Sequence, residues 1–163
     1  MLLDIRRIFA AAQPSFSREQ TLSLAGMDFP GYEAPQPFEA HVEGQLHGGV
    51  LAITLSFDAR VQFLCARCME PAEKTFRVLR TYEVRESDCM AEEPELPFDE
   101  NGRLDVRELC YQELVMEVPT VLLCSDDCAG LCPICGRRKP CACTQETNGD
   151  VVDERLALLK TLL

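Results

Sequence analysis

Eight cysteines in two tight groups constrain this chain more than any other feature. Cys65-Ala66-Arg67-Cys68 forms one Cys-x-x-Cys pair. The segment Cys124-x3-Cys128-x3-Cys132-Pro133-Ile134-Cys135-Gly136-x4-Cys141-Ala142-Cys143 holds six more. Two intervening residues let the backbone curl until both sulfurs face one point, where a following amide such as that of Gly136 can donate to sulfur. Zinc asks for four such ligands at about 2.3 Å in a tetrahedron. Eight cysteines can fill two closed sites. The simplest division puts Cys132, Cys135, Cys141 and Cys143 on one Zn2+ and Cys65, Cys68, Cys124 and Cys128 on the other, which would pin the tail to the preceding domain. A single zinc on Cys65, Cys68, Cys132 and Cys135 also satisfies the spacing.

The ligand chemistry separates scaffold from catalyst. No histidine lies in the dense segment. A catalytic zinc commonly carries histidine or carboxylate and keeps one position open for water. All-sulfur ligation therefore predicts a structural ion, and the spacing does not match the runs that hold iron–sulfur clusters. A redox reading stands as the alternative, because Cys132-Pro133-Ile134-Cys135 resembles a glutaredoxin-type pair. That chemistry wants the first cysteine at a helix N-terminus, and Gly130, Gly136 and Pro140 are poor helix formers. Cys89 and Cys110 have no cysteine nearby and read as a loop thiol and a small buried hydrophobe.

Compartment follows from the same residues. Asp4, Arg6 and Arg7 interrupt the apolar residues of the first twelve positions, so they do not form a secretory signal. A cytoplasmic protein is expected. Thiols stay reduced there, and paired cysteines more often hold metal than form disulfides. No apolar run reaches the roughly 18 residues that span a bilayer, so no membrane partner is expected.

Charge limits the partners. Sixteen Lys and Arg against 27 Asp and Glu leave a formal charge of −11, which repels nucleic-acid phosphate over the surface as a whole. An RNA contact must be local. Arg137, Arg138 and Lys139 adjoin the cysteines. They read either as compensation for a four-thiolate zinc, which carries about −2, or as a contact to RNA phosphate. His41 and His47 fall on the polar side of a strand and read as solvated. No catalytic triad, glycine-rich phosphate loop or paired catalytic acid stands out, so no enzyme and no small-molecule substrate is expected.

The rest of the chain predicts an α+β fold, mainly an antiparallel β meander with one packed helix and a cysteine-rich, zinc-ribbon-like C-terminal segment. Residues 38–47 and 51–57 alternate with period two about Gly48-Gly49, the mark of a β-hairpin. A third run, Ala59 to Leu64, reaches Cys65. A fourth, Thr75 to Arg85, has Phe76, Val78, Tyr82 and Val84 on one face with Arg80 breaking the series. Phe16 to Leu24 adds a further strand. Residues 86–100 hold seven acids and no base, which predicts a solvated loop. Asp105 caps a helix over 105–118 with Glu108 completing a capping box, Leu104 and Leu109 forming a hydrophobic staple, and Pro119 stopping it. The expected organisation is a β domain over 1–119, a cysteine-rich metal-binding segment over 120–145, and a linker with a short amphipathic tail helix over 146–163, with Asp153 as its cap.

Several of these segments together resemble the YceD family of large ribosomal RNA subunit accumulation proteins. The resemblance rests on Cys65-x-Arg67-Cys68 in the β region, the acidic linker, the helix ending at Val118-Pro119, Cys128-x-Gly130-Leu131-Cys132-Pro133-x-Cys135-Gly136, and Asp153-x-Arg155-Leu156. It implies a non-catalytic cytoplasmic factor in large-subunit rRNA accumulation or ribosome assembly, with that rRNA or its precursor, or ribosome-assembly proteins, as partners. A protein-interaction module that never touches RNA is the competing expectation, motivated by the net charge and the amphipathic tail.

Overall fold

The computed structural model describes residues 2–11, 15–91 and 94–143. They fall into two compact units, one running through Cys128 and one starting at Ala129. The first unit is built on an antiparallel sheet. Its strands are β2 (Ser15–Leu22), β3 (Tyr32–Glu33), β4 (Phe38–His47), β5 (Val50–Leu64) and β6 (Pro71–Arg85). β5 is the organising strand. One of its edges pairs first with β4 and then, further along, with β3. The other edge pairs along its whole length with β6, while β2 extends the sheet beyond β4. A second, two-stranded sheet joins β1 (Leu2–Asp4) to β7 (Arg103–Asp105). The helices are α1 (Ile5–Ala10) and α2 (Val106–Glu117). The expected fold class is the observed one.

Alternation dictates the sheet. Leu51, Ile53, Leu55, Phe57, Ala59, Val61 and Phe63 of β5 are all buried, and the residues between them face outward. Register carries this pattern across the strands: Val42 and Arg80 flank Leu55, Ala40 and Val78 flank Phe57. The hairpin turn needs positive φ at both central residues, and Gly48 and Gly49 supply 56° and 82°. At Gly44 the requirement is space. Gly44 faces Phe16 of β2 in register, and the phenyl ring lies flat where a side chain would stand.

The two runs expected as separate strands, 51–57 and 59–64, are one continuous strand. Ser56, Phe57, Asp58 and Ala59 keep the alternation without a turn residue between them, and β6 pairs across the supposed break. β6 in turn starts at Pro71, earlier than the apolar pattern indicated.

α2 covers the buried face with Val106, Leu109, Cys110 and Leu114. Arg80, the break in the apolar series of β6, meets this helix. Its guanidinium bonds Glu113 at 3.2 Å and Glu117 at 2.8 Å. Asp105 caps the helix by accepting from the N–H groups of Arg107 and Glu108. The reciprocal half of the box is supplied differently: the Asp105 N–H donates to the Pro97 carbonyl at 2.9 Å, and the Glu108 carboxylate accepts from Gln112. Tyr111 and Arg107 donate to the carbonyls of Asp28 and Ser23, which holds the segment after β2 against the helix.

The acidic stretch is more ordered than its charge suggests. Glu86–Met90 forms a 3-10 helix, and Cys89, expected as a loop thiol, is the buried residue of that helix. Leu96 is also buried, and Phe98 bridges to Leu104. Apolar residues spaced among the acids supply the anchors that net charge alone does not reveal. Cys110 lies in the core as expected. The tail-helix expectation falls on residues outside those described.

Candidate metal centres

Two sets of four cysteines each bring their sulfurs within 4.8 Å of one another: Cys65, Cys68, Cys124 and Cys128 in the first unit, and Cys132, Cys135, Cys141 and Cys143 in the second. Either set could hold a metal ion. The donor chemistry and the spacing both fit. In the first set, Cys65 to Cys128 and Cys68 to Cys124 are each 3.8 Å apart, and a tetrahedron of sulfurs about 2.3 Å from a zinc ion has edges of about 3.8 Å.

The backbone builds both centres from the same turn. In the first, the Cys65 N–H donates to the Glu70 carbonyl at 2.9 Å and the Met69 N–H returns to the Cys65 carbonyl at 2.8 Å. In the second, the Cys132 N–H donates to the Arg137 carbonyl at 2.7 Å and the Gly136 N–H returns to the Cys132 carbonyl at 2.9 Å. The residue after the second cysteine is left-handed in both, with φ of 60° at Met69 and 67° at Gly136. Glycine takes this conformation without steric cost, whereas methionine does not. Gly136 was therefore legible in the sequence as part of the turn, and Met69 was not.

In each centre backbone amides converge on the first sulfur of the turn. N–H groups of Cys124, Arg67 and Cys68 donate to Cys65 and hold that thiol down at about 6. N–H groups of Cys135 and Ile134 do the same for Cys132, also to about 6. Cys68, Cys124, Cys141 and Cys143 go the other way. At Cys68 the Glu70 N–H favours the thiolate, but burial and the three neighbouring sulfurs outweigh it and push the thiol up to about 12. At Cys143 the adjacent Cys135 sulfur, with burial, pushes it up to about 12. Each centre thus favours the thiolate at its first cysteine and the protonated thiol at two of the others, whose protons a cation would displace on binding.

The centres differ in setting. Cys65, Cys68 and Cys128 are buried and Cys124 half-buried, while in the second set Cys132 is buried and Cys135 exposed. Residues 133–135 form a turn and no helix starts at Cys132, so the helix N-terminus that a glutaredoxin-type thiol needs is absent there. Arg137 and Arg138 are exposed on the same turn, and Lys139 is half-buried, its N–H donating to the Gly130 carbonyl at 3.0 Å. His41 is exposed and faces Glu19 at 3.5 Å. With Glu39 these make a third, fully exposed group of ligand atoms, visible only once β2 and β4 are in register. No helix among the described residues is long and apolar enough to cross a membrane.

An antiparallel β scaffold with two all-cysteine centres, each on a tight turn, defines a cysteine-rich protein whose sulfurs are arranged as metal ligands. Residues 53–163 match the family model of the large ribosomal RNA subunit accumulation protein YceD. The chain belongs to that family, as the cysteine and helix motifs indicated. It is also similar to uncharacterized proteins of Mycobacterium bovis and of two strains of Mycobacterium tuberculosis. Identity to the first of these is 30% over 103 residues, covering 61% of this chain and 49% of the relative. The chain thus spans about half the length of the relatives it matches. No solved structure matches it.

Proposed function

We propose that this protein is a non-catalytic, cytoplasmic factor in large-subunit rRNA accumulation or ribosome assembly, with structural Zn2+ held by its two cysteine sets. Membership of the YceD family is the observation that carries the role, since the family is described by accumulation of large-subunit RNA. The metal reading rests on Cys65, Cys68, Cys124 and Cys128, and on Cys132, Cys135, Cys141 and Cys143, converging as two tetrathiol groups. Zinc would supply cross-links here in place of a larger apolar core, with no open coordination position and no turnover. Arg137, Arg138 and Lys139 on the second turn are the proposed contact to rRNA, its precursor or an assembly protein.

Crosslinking in cells tests the role. Large-subunit rRNA or its precursor should be recovered with the protein, and recovery should fall when Arg137, Arg138 and Lys139 are changed together to alanine. A second reading, a protein-interaction module that does not touch RNA, is favoured by the formal charge of −11. Assembly proteins recovered without RNA, with the triple variant unaffected, would replace the first reading by the second. Metal analysis of the purified protein checks the zinc: two ions per chain are expected, and none would remove the structural reading of the cysteines.

A further inference from the structure

The two cysteine turns share their hydrogen bonds but not their occupants. The position between the cysteines is Arg67 in the first and Ile134 in the second. Ile134 is exposed, 60% of its surface in solvent. Arg67 does something Ile134 has no chemistry to do. Its Nη1 donates to the Cys128 carbonyl at 3.1 Å and reaches the Asp126 carbonyl at 3.4 Å. Those carbonyls belong to the loop that carries Cys124 and Cys128, 56 and 63 residues along the chain from Cys68 and Cys65.

We propose that Arg67 is a positioning residue for the first metal centre, holding the 124–128 loop over the Cys65–Cys68 turn so that all four sulfurs stand at ligand distance before an ion arrives. The proposal rests on the metal reading above. Its physical content is preorganisation. Gathering two ligand pairs from distant parts of a chain costs loop-closure entropy. An ion that meets the pairs apart must offset that cost from its own binding energy, and one that meets them together need not. One further contact supports the same closure without arginine, the Ala66 N–H donating to the Leu122 carbonyl at 2.9 Å, while the Cys128 N–H bonds the Ser125 carbonyl at 3.1 Å and shapes the loop itself. Arg67 adds a side-chain link to the loop backbone beyond Cys124. Its bonds go to backbone carbonyls, so they form whether or not the centre is loaded. A guanidinium suits this task because its Nη1 carries two N–H donors for the two carbonyls, and its fixed positive charge sits beside a centre that turns anionic when four thiolates bind one divalent cation. At the matching position of the second centre Ile134 has no group that can donate such bonds, and that centre serves as the chain's own comparison.

Cobalt(II) titration of the full chain tests this. A parent carrying Cys132→Ser and Cys135→Ser leaves the first centre as the tetrathiolate site. The charge-transfer and visible bands of tetrahedral thiolate-bound cobalt report its filling, and competition with a chelator gives its affinity. Arg67→Ala and Arg67→Ile should weaken cobalt about ten- to a hundredfold, the usual effect of losing a group that orients ligands, and should slow its uptake. Arg67→Lys should recover part of the loss. Far-ultraviolet circular dichroism of the metal-free forms should not change. Affinity and uptake rate within about twofold of the parent in Arg67→Ala would overturn the role of Arg67 and leave the centre intact. If Arg67→Ala loses the sheet, Arg67→Gln against Arg67→Lys decides: equal affinities overturn the proposal, and a stronger lysine variant supports it. A parent showing no tetrahedral thiolate spectrum fails differently, because it removes the metal reading itself.

Discussion

Gly44→Ala isolates one packing decision in the sheet and gives a sign that can be worked out beforehand. A Cβ at residue 44 would fall inside the van der Waals envelope of the Phe16 Cε1 and Cζ atoms and 2.7 Å from Cδ1. The ring must leave. Phe16 keeps 7% of its surface in solvent, so expelling it gives up most of the roughly 1.5–3 kcal/mol of a buried phenylalanine. Alanine returns about 0.5–1 kcal/mol, because glycine costs that much inside a strand. The net is about 1–2 kcal/mol of destabilisation. In a Phe16→Ala background no ring occupies the space, and the same change should stabilise by about 0.5–1 kcal/mol. The coupling between the two positions is therefore about 2 kcal/mol, well above the few tenths seen for independent sites. Urea unfolding of the four proteins, at fixed metal loading, measures it. Equal effects of Gly44→Ala in both backgrounds would refute the reasoning, since the penalty would then come from the glycine backbone and not from the ring.

Leu114 has no exposed surface, so Leu114→Ala should destabilise by about 2–5 kcal/mol in the same assay, and a loss below 1 kcal/mol would mean that α2 does not pack as described. Met69→Gly removes a left-handed methionine at φ 60° and should stabilise by up to about 1 kcal/mol, read as a higher unfolding midpoint; a lower midpoint would show that the side chain matters more than the strain. A chelator should strip the exposed second centre before the buried first, followed by native mass spectrometry, and simultaneous loss would deny the difference in setting. Acid should release both ions. The low thiols, Cys65 and Cys132 at about 6, and the raised ones, Cys68 and Cys143 at about 12, must all be deprotonated to bind, so falling pH adds protons that compete with metal and affinity drops, most steeply once the low thiols also protonate. A zinc affinity that does not change between about pH 8 and pH 5 would contradict this sign.

Much of the first unit was legible because β4 and β5 alternate buried and outward residues along most of their length. Val42, Leu55 and Val78 obey a period of two, and the glycine pair marks the hairpin. What was not legible depended on distant pairing. Asp58 keeps the alternation but is by type a residue that favours turns; its place in the strand follows from Arg77 opposite it, whose guanidinium bonds the Asp58 carboxylate at 3.0 Å. Arg80 looked like a defect until Glu113 and Glu117 came alongside. β1 and β7 are three residues each, too short for a period to show, and they exist because they pair. At the cysteines, type and spacing pointed to four-sulfur groups, yet spacing alone left two groupings open. The backbone settles which sulfurs are neighbours: a turn that returns the Met69 N–H to Cys65, and a loop held by Arg67.

With an ion bound, the first cysteine set would also govern how the first unit meets mechanical load. Its ligands lie on both sides of α2, at the end of β5 and in the loop after the helix. Once an ion joins them, tension applied from the C-terminal side enters the β unit at Cys128 and passes through sulfur and metal to the β5–β6 turn, bypassing the helix. An unfolding machine pulling from that end would have to break a metal–sulfur bond before α2 could peel away, so the rate of threading would follow the kinetics of ligand exchange and not the stability of the helix.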